Sequence, residues 1–467
     1  MNEEKNREIK ETNEIVIPHA DYVREAIANK QFKKLKDELS EIPPVDIAGI
    51  FDELPKKYYS AVYRLLNKEV AAEVFVELSR EARSDIINSF TDKELSETLD
   101  ELYLDDTVDI IEELPASVVM RIIRNSKRED RDVINRLLKF PKNTAGAVMT
   151  TEYVRFSKDM TVDEALTHIR EVAIDKETIY TCYVTDKGRR LIGIVSAKEL
   201  LISSTDKKLS EIMEDSVIYA YTTDDREEVA RKLDKYGFLA LPVVDTECRL
   251  VGIITIDDAI DVLAEETEAD FAKMAAITPS EESYLKTSVF GIFKARIPWL
   301  MLLMISATFS SAILAKFELA LPAVLLLFVP MLMGTGGNSG SQSSVTIIRA
   351  ISVGEAKLSD FGVILWKEVR VGFISGAVLG IVAFLKVYLL DGLLMQNGEV
   401  TLFVSFVVAL ALAFTVLSAK LIGAVLPLLA KKIGLDPAVM ASSFITTLID
   451  VLSLLVYFAI ASMILTI

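Results

Sequence analysis

Asp450 is the single charge in an apolar stretch of thirty residues, Ala438 to Ile467. A carboxylate at the centre of a bilayer-spanning helix costs at least ~2.5–3.5 kcal/mol, so it ordinarily faces a partner, a cavity or an ion path. Ser443, Thr446, Thr447 and Ser453 recur with it at helical spacing and complete one polar stripe. A second group is denser. Asp257, Asp258, Asp261, Glu265, Glu266, Glu268 and Asp270 follow one another with no base until Lys273. Pairs four apart, Asp257/Asp261 and Asp261/Glu265, repel on a helix. A divalent cation held by hard oxygen ligands would remove that repulsion. Asp105, Asp106 and Asp109 are a third group, read most simply as a solvated face, with a low-affinity cation site as the alternative.

The elements that carry these residues differ along the chain. Its 467 residues are 51% hydrophobic with a mean hydropathy of +0.34, high for a soluble protein. From Lys286 onward there are 12 Lys/Arg and 8 Asp/Glu, which leaves 39 and 60 for the part before it. So acidic a soluble part argues against nucleic acid as a partner. Two Cys and two His, not clustered, argue against zinc or thiol chemistry. The charged start, Met1 to Lys10, has no apolar core of a cleavable signal.

Residues 1–140 read as all helix. Leu54, Leu66, Leu78, Phe90, Leu102 and Leu114 recur every 12 residues, with "DELP", "VELS", "DELY" and "EELP" in that frame. One short helix per 12 residues predicts a small superhelix. Residues 141–205 and 206–263 then repeat one unit. Met149 matches Met213 and Gly193 matches Gly252. Each unit reads strand, helix, strand, turn, strand, helix. A helix over 257–285 leads on, and Ile260, Leu263, Ala264, Thr267 and Phe271 are its expected apolar face.

Residues 286–467 hold five apolar segments, about 297–315, 319–346, 363–390, 401–430 and 438–467. Each is a candidate membrane helix. Lys286, Lys294 and Arg296, then Arg349 and Lys357, then Lys431 and Lys432 fall on one side. The positive-inside rule makes that side cytoplasmic, with the C-terminus outside the cell membrane. The second segment runs into the uncharged "GTGGNSGSQSSVT". Polar or irregular backbone at membrane depth lies against protein or a water-filled cavity. Pore lining by Asn338, Gln342 and the carbonyls near Gly334 is expected, with close helix packing as the alternative. Pro330 is expected to free carbonyls before it. Glu368, Lys386 and Lys420 are expected to snorkel from segment ends, Lys420 being also a possible partner for Asp450.

The repeated unit resembles CBS domains, which often bind adenine nucleotides through a Ser/Thr followed three residues later by Asp. Thr255 and Asp258 fit. Ser196 is followed by Glu199, a departure, and both pairs also read as ordinary strand–helix junctions. The runs "NTAGAVMTTEYV", "VPMLMGTGGNSGSQSSVTIIRAISVGE", "GAVLPLLAKKIGLDPA" and "TTLIDVLSLLVYF" together resemble the MgtE family of magnesium channels and transporters. That resemblance implies a multi-domain membrane protein: an all-α superhelical N domain, α/β paired CBS domains, an acidic connecting (plug) helix and five transmembrane helices. It implies a homodimer in the lipid bilayer with the pore on its axis, lined by the second and fifth helices. Asp450 and its copy would recognise hydrated Mg²⁺, with Thr446, Asn338 and Gly334 nearby. Cytosolic Mg²⁺ would close the pore through acids including Asp257, Asp258, Asp261, Glu265, Glu266 and Asp105, and ATP at the CBS pair would modulate this. Ala441, Ser442 and Ser443 stand where the family often reads Ser-Gly-Pro, and Ser453 where Gly is common. No enzyme activity is expected, since an intramembrane aspartyl protease needs two carboxylates. A secondary transporter of Co²⁺ or another divalent cation with CBS regulation is the alternative, as is a receptor that transports nothing.

Overall fold

The computed structural model describes residues 20–279, 284, 287–318, 322–440 and 442–465. It divides into two compact units, Met1–Leu263 and Ala264–Ile467.

The first unit begins with α1 (Ala20–Ala28), α2 (Phe32–Leu39), α3 (Pro44–Glu53) and α4 (Tyr59–Tyr63). The 12-residue period then shows plainly: α5 (Lys68–Glu77), α6 (Arg80–Ser89), α7 (Asp92–Leu99), α8 (Leu104–Glu113), α9 (Ala116–Asn125) and α10 (Arg128–Leu137). The repeating apolar residue is the joint between helices. Leu54, Leu78, Phe90 and Leu114 each leave a helix in extended conformation and are buried. Two extended residues per joint, the apolar one and the next helix's N-cap, turn the chain while the first anchors it in the core. Thr91 closes a capping box with Glu94.

The repeated units fold as expected. In the first, β1 (Tyr153–Ser157), α11 (Val162–Val172), β2 (Thr178–Thr185), β3 (Leu191–Ser196) and α12 (Ala197–Ile202) are followed by the single turn α13 (Leu209–Ile212). The second has β4 (Ala220–Tyr221), α14 (Arg226–Tyr236), β5 (Ala240–Val244), β6 (Leu250–Thr255) and α15 (Ile256–Met274). Each sheet has order 1-2-3, its first pair parallel and its second antiparallel. The units exchange their leading segments. Thr150 bridges Ile253, and Glu214 bridges Ile194. Met149 therefore lies on Gly252 and Met213 on Gly193, so the residues that match in sequence pack crosswise in space.

α15 is one helix of 19 residues. Its buried residues are Ala259 and Val262. Ile260 and Phe271, expected on the apolar face, are instead exposed. The buried face is thus offset by one residue from the one that hydrophobicity alone selects.

The membrane unit contains α16 (Val289–Glu318), the single turn α17 (Ala323–Leu326), α18 (Val329–Ser352), α19 (Phe361–Leu385), α20 (Leu402–Lys432) and α21 (Ser442–Leu465). A π-helical stretch, Lys386–Leu394, prolongs α19, and Lys386 there pairs with Asp391 at 2.7 Å. Among the described residues, five helices are long and apolar enough to cross a membrane. The glycine-rich run is a regular helix throughout α18. Pro330 stands in its first turn, where a missing N–H leaves nothing unpaired, so it opens the helix and does not break one. The backbone carbonyls of the run take part in the helix's own hydrogen bonds, which corrects the expectation of an irregular segment.

A Cβ on Gly252 would lie 2.6 Å from Met149 Sδ and 2.7 Å from the Thr150 carbonyl oxygen. Gly252→Ala is expected to destabilise the CBS pair by about 1–3 kcal/mol through overpacking against backbone. Chemical denaturation of the full-length protein followed by circular dichroism checks this, and an unchanged midpoint contradicts the crosswise packing.

Candidate metal centres

Two sets of oxygen ligands emerge. The first lies in the membrane unit, where α18, α20 and α21 meet through small residues. A Cβ on Gly336 would stand 2.6 Å from Ser453 Oγ and 2.8 Å from Thr415 Cγ2, and one on Gly337 2.8 Å from Thr446 Cγ2. Gly340 meets Ile449 and the Ala419 carbonyl, and Gly423 meets Gly340. The packing alternative thus holds for Gly336, Gly337 and Gly340. Gly334 differs, having open space where a side chain would be. Gly334, Asn338, Gln342 and Val345 form the outward stripe of α18, opposite its buried face.

On α21 the polar stripe divides. Ser453 is fully buried, and its Oγ donates to the Ile449 carbonyl at 2.7 Å. Thr446 Oγ1 lies 3.3 Å from Ser341 Oγ of α18. Asp450 is half-buried, one turn beyond Thr446. Among the described residues no ion pair engages it. Lys420 is not its partner, because it lies on Ser343 instead. Glu368 does not snorkel: it is only 9% exposed. Ala441 and the side chains of Ser442 and Ser443 lie outside the described residues.

The second set lies in the first unit, where its three parts converge. Asp105 comes from the first turn of α8, Glu152 from the segment before β1, and Glu177 from the residue before β2. A backbone hydrogen bond from Glu177 N–H to the Glu152 carbonyl (2.9 Å) holds the last two together. One carboxylate oxygen of each lies within 4.8 Å of the others. Asp105 Oδ1, Glu152 Oε2 and Glu177 Oε2 are sealed from solvent with no hydrogen-bond partner. Buried oxygens of this kind are normally satisfied, and three carboxylates this close, each with an orphaned oxygen, fit a cation with hard-ligand preference. Asp105 was one of the expected residues, but it belongs to this pocket and not to a freely solvated face. Glu152 and Glu177 carried no sequence signal, since they are far apart in the chain and flank strands.

Asp258 belongs to the same field. Its Oδ2 accepts a hydrogen bond from Thr255 Oγ1 at 2.5 Å. Burial, then Asp105, pushes its carboxyl up to about 7. Asp105 is raised to about 7 by burial and by Asp106, while Asp106 is raised to about 6 by burial and by Asp258. Glu152 and Glu177 are raised to about 8 by burial and then by Asp105. Asp109, whose outer side still meets solvent, is raised to about 8 by desolvation and by Asp105. Asp261 is raised by burial and by Asp257. Asp257, Asp261 and Glu265 are exposed and Glu266 half-exposed along α15. Ser196 caps α12, its Oγ accepting from Glu199 N–H at 3.1 Å.

The end of α15 is fastened within the membrane unit. Lys273 Nζ pairs with Asp436 at 2.7 Å, and Ser352 Oγ donates to Asp270 Oδ2 at 3.4 Å.

Comparison with known proteins defines the class first. A family model described as a divalent cation transporter matches residues 329–460, one described as the MgtE intracellular N domain matches 42–143, and the CBS domain model matches 145–205 and 209–265. These mark a divalent-cation transporter with cytosolic N and CBS domains. The chain is 37% identical to magnesium transporter MgtE of Thermus thermophilus over 449 residues, covering 95% of this chain and 98% of the relative. Identity to magnesium transporter MgtE of Bacillus subtilis is 30% over 434 residues, covering 92% and 94%. A solved structure, the cytosolic domain of the Mg²⁺ channel MgtE in complex with ATP, matches with 38% identity and a TM-score of 0.50, over 52% of this chain and 99% of that one. The chain belongs to the MgtE family of magnesium transporters.

The raised carboxyls set a sign for pH. An acid held above its unfolded-state value of about 4 keeps its proton longer when folded. Without metal, the stability that these groups contribute is full below about pH 4 and is lost as pH rises from there through 6–8. The thermal midpoint of the divalent-free full-length protein is expected to drop by about 4 °C or more between pH 5 and pH 8.5. Millimolar Mg²⁺ at pH 8.5 is expected to restore it, as differential scanning calorimetry would show, and a flat pH profile contradicts the cluster.

Proposed function

We propose that this protein is a homodimeric Mg²⁺ channel that imports magnesium and is closed by cytosolic Mg²⁺. The observation that carries the reading is the polar surface of the membrane unit. Asp450 of α21 is half-buried without an ion pair among the described residues, beside a helix whose outward stripe is Gly334, Asn338 and Gln342. A polar stripe at membrane depth must be covered by protein or water. A second copy placed on that face would double Asp450 and enclose a wet path. Mg²⁺ sheds water reluctantly, so a site of carboxylates, amides and carbonyls suits its hydrated form. Thr446 would offer its carbonyl one turn away. The N-terminal domains would be cytoplasmic and the C-terminus external.

Closure would act through the acids. Asp105, Glu152, Glu177 and Asp258 come from the N domain and both CBS domains, and α15 continues from Asp257, Asp258 and Asp261 to Glu265 and Glu266. Cytosolic Mg²⁺ would neutralise these groups and hold the closed arrangement. ATP would modulate this at the CBS pair, with Thr255 and Asp258 toward a ribose. Ser196 is the weaker candidate, because its hydroxyl already caps a helix. The buried ionisable residues Glu368 and Lys420 favour a second reading, a transporter coupled to protons. Flux that follows the Mg²⁺ gradient alone speaks for the channel.

Asp450→Ala is expected to abolish Mg²⁺ uptake, by about 100-fold or more, with the dimer intact; one lost carboxylate of about 3 kcal/mol accounts for that factor. Growth rescue of an uptake-deficient cell, with size-exclusion chromatography of the variant, checks both parts. Replacing Asp105, Glu152 and Glu177 together by their amides is expected to leave the channel conducting at internal Mg²⁺ that closes the wild type. Patch recordings decide this, and closure at an unchanged concentration removes the sensor role.

A further inference from the structure

Among the described residues, the membrane unit buries two charges away from Asp450. Glu368 of α19 is 9% exposed and Lys420 of α20 is 7% exposed. Ser343 of α18, itself buried, links them. Its Oγ donates to Glu368 Oε2 at 2.6 Å and receives Lys420 Nζ at 3.5 Å. A hydroxyl has one proton to give and lone pairs to receive, so the row runs one way, from ammonium to hydroxyl to carboxylate. Its charges sum to zero, which meets the main objection to ions at this depth. One residue from each of three helices takes part.

The row stands beside the closest helix approach. Ser343 follows Gly340 by one turn, and Gly340 meets the carbonyl of Ala419, the neighbour of Lys420. On α18 Ser343 belongs to the buried face, whereas Asn338 and Gln342 belong to the outward stripe. Successive residues of an α-helix are turned by about 100°. A slip of one residue would therefore break Ser343 from Glu368 and carry Asn338 off the outward face.

We propose that Glu368, Ser343 and Lys420 are positioning residues: they fix the rotation of α18 and so place Asn338 and Gln342 along the ion path. This rests on the channel reading. The row is a strut, and none of its members touches the passing ion.

The test uses the full-length chain in planar bilayers and reads the reversal potential under opposed MgCl₂ and NaCl. That potential does not depend on how many copies have folded. Ser343→Ala, Glu368→Gln and Lys420→Met are each expected to lower the Mg²⁺-over-Na⁺ permeability ratio by about threefold or more, the scale of coupling between contacting residues. Smaller currents at an unchanged ratio would make the row purely structural and overturn the proposal. A second measurement covers variants that give no current. With Cys182→Ser and Cys248→Ser as background, Asn338→Cys is labelled by a membrane-impermeant thiol reagent in vesicles, with and without Ser343→Ala. A labelling rate changed by about threefold supports the strut, and an unchanged rate overturns it. Wild-type current from Asp450→Asn would defeat the channel reading separately, and the labelling rate would still decide the rotation.

Discussion

The membrane unit depends on the close approach of α18 to its neighbours, backbone to backbone with α20 at Gly340 and Gly423, and glycine to side chain with α21. Lipid gives helices no hydrophobic reason to associate, so close packing of small residues must supply it. Gly336, Gly337, Gly340 and Gly423 leave no room for even a methyl group. This contact takes the small residues of α18 inward, which leaves the opposite stripe of Asn338 and Gln342 outward. Glu368, Ser343 and Lys420 lie just past it. The same glycines that look like pore lining in sequence are mostly the reason another face is free to line one.

The soluble unit is governed by the opposite difficulty, too much like charge in a small volume. Six carboxyls from the N domain, the two CBS domains and α15 sit where desolvation and mutual repulsion hold them well above the ordinary range. Such an arrangement is stable with protons or with cations and strained without either.

Much of this was legible in the chain. The 12-residue period predicted the superhelix because each joint must bury one apolar residue, and the structure has Leu54, Leu78, Phe90 and Leu114 there. The CBS repeat announced itself through matched methionines and glycines. Its crosswise packing did not, because a repeat in sequence says nothing about which copy a segment joins. Periodicity misplaced the buried face of α15 because Ile260 and Phe271 are apolar yet exposed. Glu152 and Glu177 were invisible for a different reason: a carboxylate cluster assembled from segments far apart in sequence has no spacing to read. Glu368 and Lys420 were misjudged because proximity to a segment end says where a side chain could reach, not what packs against it.

One helix carries a mechanical consequence. α15 starts beside Asp258 and ends at Lys273, and an α-helix of its 19 residues is about 28 Å long. Its far end is held within the membrane unit by the Lys273–Asp436 pair, 2.7 Å apart. A rod of this length turns a tilt of about 5° into a displacement of about 2.5 Å at its end. That exceeds the reach of such a pair, so the direction of the helix axis and this one ion pair are kept or lost together.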